Sequence, residues 1–233
     1  MAGIGNTFQV ASLSNCFVIG TGADSYGGIM KADEELVQLM KRRGGVGIDL
    51  THIRPEGSAV LNSALSSTGI VPFMERYSNS TREVAQDAGA APLMLTVSSR
   101  HPDVRPIDAK LEMGKVTGAN ISVRVDHGLL EAARTGKPYE LRYPVDAETP
   151  KITMEADAGA ISKDHPQCLE ICRTRCPLLG YHQGTVPDCY ADKDSAIIST
   201  NPCGRSRLPY DSRRLLASTL SLCDRSVHGD GLL

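Results

Sequence analysis

The stretch LSNCFVIGTGADSYGGIMKADEELVQLMKRRGGVGIDL, Leu13 to Leu50, decides the fold. NCFVIG, Asn15 to Gly20, is a short apolar run closed by glycine and reads as a strand. KADEELVQLMKRRGG has apolar residues at Leu36, Val37, Leu39 and Met40, with acids early and bases late. That charge order suits a helix dipole, and Gly44-Gly45 is expected to stop the helix. VGIDL then reads as a second strand.

Working outward, the alternation continues. A helix is expected from about Val71 to Asp87, with Pro72 near its start and apolar Phe73, Tyr77 and Val84. PLMLTVSS is a continuous apolar run and reads as a buried strand. ANISVRVD alternates Ile121, Val123 and Val125 with Ser122, Arg124 and Asp126, the pattern of a half-buried strand. GLLEAART is a short helix stopped by Gly136. Strand, helix, strand, helix, strand is the order of an α/β protein. After Pro150 the pattern is lost, and residues 151–198 read as an irregular connection.

Bulk composition narrows the function classes. A net charge of -2 over 233 residues, with 22% charged side chains, points away from nucleic acid and membranes as partners. No apolar window is long enough for a membrane-spanning helix. MAGIGNTFQVASLSNCF lacks a basic start before an apolar segment, so no secretory signal is expected and the cytoplasm is the expected location. Seven cysteines would be mostly reduced there, and the odd number favours redox or catalytic use over a disulfide scaffold.

Cys203 draws attention within STNPCGRSRLPYDSRRL, Ser199 to Leu215. Asn-Pro before it and Gly after it place the thiol at the tip of a tight loop. By residue type alone, Cys203 is a loop thiol and Cys16 a core thiol. Asp24-Ser25 reads as a helix cap, Asn201 as a turn residue and Arg54 as a solvated charge. Cys168, Cys172 and Cys176 recur at four-residue spacing, but without a C-x-x-C pair they give no zinc signature. Gly27-Gly28 and Gly44-Gly45 are not phosphate loops, because no Gly-Lys-Ser/Thr follows.

Four runs in order carry a resemblance: LSNCFVIGTGADSYGGIM; LVQLMKRRGGVGIDLTHIRPEGS; STGIVPFMERYSNSTREVAQD with DAKLEMGKVTGANISVRVD; and PDCYADKDSAIISTNPCG before PYDS. Together they resemble the large, catalytic subunit of ribonucleotide reductase. The Asn-Pro-Cys-Gly form is most like the adenosylcobalamin-dependent class. The fold implied is a partial ten-stranded α/β barrel with a finger loop. Residues 1–150 would form the first half-barrel, 151–198 a divergent connection, and 199–233 the finger loop and tail. The activity implied is reduction of ribonucleotides to deoxyribonucleotides by a cysteine thiyl radical, for DNA synthesis. The alternative is a non-catalytic nucleotide-binding or dimerisation module derived from such a reductase.

By this resemblance Cys203 is the radical cysteine, Asn201 orients the substrate sugar, and Cys16 is the first reducing thiol. Asn15 and Gly45 would contact substrate, Gly45 because a side chain would not fit there. Asp24 and Ser25 match the pair that holds the deoxyribose of a deoxynucleoside triphosphate effector, and Arg54 an arginine near its phosphates. The resemblance also implies a homodimer through the helices around Lys31–Arg43 and Val71–Asp87, or a complementing reductase fragment, and a thioredoxin-like reductant. It implies adenosylcobalamin as cofactor; from the cysteine spacing no metal site is expected.

Three positions depart from the pattern. Arg205 stands where the family has a glutamate that acts as general base, and arginine cannot take up that proton. Arg213 stands where the second reducing cysteine is expected. The loop after Asp87 reads AGAAP in place of a glycine with two arginines.

Overall fold

A computed structural model describes residues 16–21, 23–41, 44–84, 93–104, 116–158, 197–200 and 207–209. Its centre is a parallel sheet of β1 (Cys16–Gly20), β2 (Gly45–Asp49), β3 (Leu93–Ser98) and β4 (Ala119–Arg124), in the order β1-β2-β3-β4. Helices α1 (Tyr26–Met40) and α2 (Val71–Val84) fill the first two crossovers and pack on each other. After β4 come α3 (His127–Thr135) and an antiparallel hairpin of β5 (Pro138–Tyr143) and β6 (Ile152–Asp157). A second antiparallel pair, β7 (Ile197–Thr200) and β8 (Arg207–Pro209), follows. Spatial order follows chain order in the parallel sheet, without the reversal of a doubly wound fold. The sheet is open among the described residues; the ring of a ten-stranded barrel is not closed.

The register separates two faces. Ile19, Ile48, Leu95 and Ile121 are aligned neighbours, as are Val46, Leu93 and Ala119. These side chains form one core with Ile29, Leu36 and Met40 of α1 and Met74 and Tyr77 of α2. Strand alternation sends the intervening residues to the other face. There stand Val18, Gly45, Gly47, Asp49, Met94, Thr96, Ser98, Asn120, Ser122 and Arg124, a face of small and polar groups apart from Val18 and Met94.

Ser25 caps α1, as the Asp24-Ser25 pair suggested, its Oγ accepting the Gly28 N–H at 3.2 Å. Other expectations are corrected by the fold. The acids Asp33, Glu34 and Glu35 therefore lie mid-helix, the first and last turns carry no matching charge, and the dipole argument fails. The helix ends at Met40, so Gly45 is not its stop but the first residue of β2. The alternation in β4 does not separate core from water: Ser122 is as buried as its apolar neighbours. It separates the helix-packed face from the polar face. Helix α2 is described to Val84, and residues 85–87 lie outside the described residues. The β5–β6 hairpin has no counterpart in the sequence reading, and β6 lies within the span read as irregular connection.

Candidate functional site

The named residues that are described fall at the two edges of the parallel strands. At the N-terminal edge, Cys16 pairs with Gly45 in the β1–β2 register. At the C-terminal edge, Asp24 and Ser25 lead into α1, and Arg54 follows β2. About 13 Å of five-residue strand separates the edges.

β7 lies near β2 and β3, and β8 near β1. Residues 201–206 join β7 to β8 and carry Asn201, Cys203 and Arg205; they lie outside the described residues, as do Asn15, Arg213 and AGAAP. For Cys16 the backbone alone is described.

The C-terminal edge holds a cavity of about 320 Å³. Its walls are Asp24, Ser25, Tyr26 and Ile29 at the start of α1, Ile53 and Arg54 after β2, the loop Val60–Thr68, and Phe73 of α2. Tyr26 and Phe73 meet edge to face, with ring centres 6.0 Å apart. The Val60–Thr68 wall is a small hairpin closed by the Ala59–Ser66 bridge, with Leu61 and Leu65 exposed at its tip. Gly28 lets the first turn of α1 fold tightly over the strand end: a Cβ there would lie 2.6 Å from the Thr21 carbonyl oxygen.

The structure brings Asp24 and Arg54 together. Arg54 Nε donates to Asp24 Oδ2 at 2.7 Å, and the Arg54 backbone N–H to Oδ1 at 3.2 Å. Arg54 Nη1 also donates to the Ala59 carbonyl at 2.9 Å, fastening the loop wall. Neither side chain is fully covered, at 30% and 25% exposure, so both remain available to a ligand in the cavity. A helix N-terminus, a guanidinium and a hydroxyl converge there, which favours an anionic ligand such as a phosphate.

Residues not singled out from sequence hold this arrangement. His101 is fully buried, and its Nε2 lies 2.8 Å from the Ile53 carbonyl. Its Nδ1 accepts the Asp103 backbone N–H at 3.0 Å, so Nε2 carries the hydrogen and the ring is neutral. Burial pushes the His101 pKa below its usual value, against the upward pull of the Ile53 hydrogen bond and of Asp103, Asp49 and Asp24. The Asp103 carboxylate accepts from the backbone N–H groups of Glu56 and Ile70, tying both ends of the pocket loop. Tyr143, from the end of β5, places its hydroxyl 3.1 Å from Asp24 Oδ2 and 2.8 Å from the His52 carbonyl. His-Pro-Asp at 101–103 was a legible turn signal; for Tyr143 the signal was the alternation of Tyr139, Leu141 and Tyr143 with Glu140 and Arg142, which marks its strand but not its partner.

Deeper under the polar face, Asp49 accepts from Thr51 Oγ1 at 2.5 Å and from Arg124 Nη1 at 3.3 Å. This pairs a buried carboxylate with a cation two strands away. No group of three metal-ligating side chains converges among the described residues, and no described helix is long and apolar enough to cross a membrane. The cavity has the size of a small-ligand site. A corrin with its nucleotide tail exceeds it, so this cavity does not fit adenosylcobalamin.

Comparison with known proteins bears on the same residues. The family model described as ribonucleotide reductase, barrel domain, matches residues 14–165. The chain is 30% identical over 108 residues to the ribonucleoside-diphosphate reductase large subunit of Variola virus, covering 46% of this chain and 14% of that protein. It is 31% identical over 138 residues to the ribonucleoside-diphosphate reductase NrdEB subunit alpha of Bacillus subtilis, covering 56% and 12%. Large chain 2 of the Saccharomyces cerevisiae ribonucleoside-diphosphate reductase is 31% identical over 94 residues, covering 40% and 11%. The chain thus spans about a seventh or less of the length of these curated relatives.

Proposed function

Since this chain belongs to the ribonucleotide reductase barrel-domain family, we propose that it serves reduction of ribonucleotides to deoxyribonucleotides, for DNA synthesis, and binds a deoxynucleoside triphosphate effector in the cavity beside α1. The observation that carries the nucleotide reading is the Asp24–Arg54 pair beside the α1 N-terminus, in a cavity of about 320 Å³. Asp24 can accept a sugar hydroxyl, Ser25 can supplement it, and Arg54 with the helix end can meet phosphate charge.

The chemical step is assigned to the opposite edge. A thiyl radical on Cys203 removes the hydrogen atom at the sugar 3′ carbon. Asn201 orients the sugar, water leaves from the 2′ carbon, and Cys16 begins the two-electron reduction. Asn15 and Gly45 belong to the same substrate contact. Support comes from the Cys16–Gly45 register and from β7 and β8, which flank residues 201–206 in the chain and lie near β1, β2 and β3. Arg205 and Arg213 remove the base and the second thiol, so the isolated chain is inactive. A complementing reductase fragment, a homodimer through α1 and α2, a radical source of the adenosylcobalamin kind and a thioredoxin-like reductant complete the proposal.

The same two arginines favour a second reading, a module that binds nucleotide and dimerises without catalysis. Isothermal titration with deoxynucleoside triphosphates, beside a turnover assay with adenosylcobalamin and a dithiol, tests the set. Binding without turnover is expected. Turnover by the isolated chain overturns the inactivity, and a cooperatively melting chain that binds no triphosphate overturns the effector site. Deoxynucleotide formation after co-expression with a reductase second half-barrel supports the catalytic reading over the module.

A further inference from the structure

We propose that Tyr143 is a positioning residue of the cavity, its hydroxyl setting the aim of Asp24 and binding the β5–β6 hairpin to the Arg54 loop. This rests on the reading of the cavity as a nucleotide site.

Asp24 and Tyr143 are 119 residues apart in the chain, and no local preference brings them together. Tyr143 closes β5 opposite Ile152, and its carbonyl accepts the Lys151 N–H at 2.8 Å. Its ring meets His101 edge to face, with centres 5.8 Å apart. Three segments therefore converge on the tripeptide 52–54. Tyr143 reaches the His52 carbonyl, His101 the Ile53 carbonyl, and Asp24 the backbone and side chain of Arg54.

The hydrogen-bond capacity of Asp24 gives the contact its meaning. A carboxylate offers about four lone-pair sites. Arg54 N–H takes one on Oδ1; Arg54 Nε and the Tyr143 hydroxyl take two on Oδ2. One acceptor site remains, on Oδ1, for a ligand hydroxyl. Burial, then the charge and hydrogen bond of Asp24, hold the Tyr143 phenol above its usual pKa range, so it stays protonated and donates. It has one hydrogen and two acceptors, Asp24 Oδ2 and the His52 carbonyl. Ligand contact at Asp24 and the seating of the 52–54 segment therefore draw on the same proton. Without the hydroxyl, Oδ2 loses a donor, and the pocket must be ordered by the ligand.

Tyr143→Phe keeps the ring against His101 and removes only the hydroxyl. Titration of the whole chain with dTTP is expected to show binding about five- to tenfold weaker, about the net size of one ordinary hydrogen bond, with a cooperative melt retained. In an Asp24→Asn background at millimolar dTTP, the same change should cost distinctly less, because the two residues act together. Equal affinity of Tyr143→Phe and wild type, or the same penalty in both backgrounds, overturns the inference while leaving the nucleotide site standing. A folded wild-type chain that binds no dTTP overturns both.

Discussion

Asp24 and His101 show how single residues set the pocket. Asp24 was legible as a helix cap or a ligand contact; in the structure Ser25 is the cap, and Asp24 is held by Arg54. Replacing Asp24 by Asn should abolish most dNTP binding and leave Arg54 without its anion, which titration calorimetry would reveal. His101 sits neutral in the folded state with its pKa lowered mainly by burial from 6.5. The unfolded chain then binds the extra proton, so stability is complete above about pH 6.5 and falls as pH drops toward the folded value. Denaturant melts between pH 7.5 and 5 should show this decline, and His101→Gln should flatten it; an unchanged slope refutes the assignment. Gly69 is held at φ +76°, where a Cβ would lie 2.6 Å from Asp103 Oδ2. Gly69→Ala should cost about 1–3 kcal/mol, read as a lower urea midpoint.

At the level of elements, the termini of helices carry as much information as their faces. Ser25→Ala removes the cap of α1 and should cost about 1 kcal/mol. Asp126 has a larger role. It caps α3 by accepting from Leu129 N–H at 2.8 Å, pairs with Arg100 Nε, and accepts from the Tyr139 hydroxyl at 2.9 Å. Tyr139 also lies within 2.9 Å of Ser99 Oγ, and Arg100 stands over its ring. One carboxylate thus fastens β3, α3 and β5 together. Asp126→Ala should cost about 2–3 kcal/mol in equilibrium unfolding, more than the cap alone; a loss near 1 kcal/mol would reduce Asp126 to a simple cap. The strands were readable because β3 is a continuous apolar run. β5 alternates too, with Tyr139 and Leu141 buried between exposed Pro138 and Glu140, but that short pattern was not read as a strand. β6 escaped notice because its exposed, mixed residues carry no clean period.

For the whole molecule, the two candidate sites share strands β1 and β2 but sit at opposite edges. A ligand in the cavity binds the folded state and should stabilise the entire chain. With deoxynucleoside triphosphate at a hundredfold excess over Kd, the gain should be about 2.7 kcal/mol, seen as a rise in melting temperature. Asp24→Asn should remove that rise; a rise that persists would place the ligand elsewhere.

The succession of strands and helices, the family resemblance and the departures at Arg205 and Arg213 follow from residue order alone, because apolar runs, caps and motifs are local. The pairing of Asp24 with Arg54, the reach of Tyr143 to Asp24 and the His52 carbonyl, and the polar character of one sheet face came only with tertiary structure. Those depend on register and crossover geometry, which join residues 30 to 119 positions apart and leave no periodic trace in the chain.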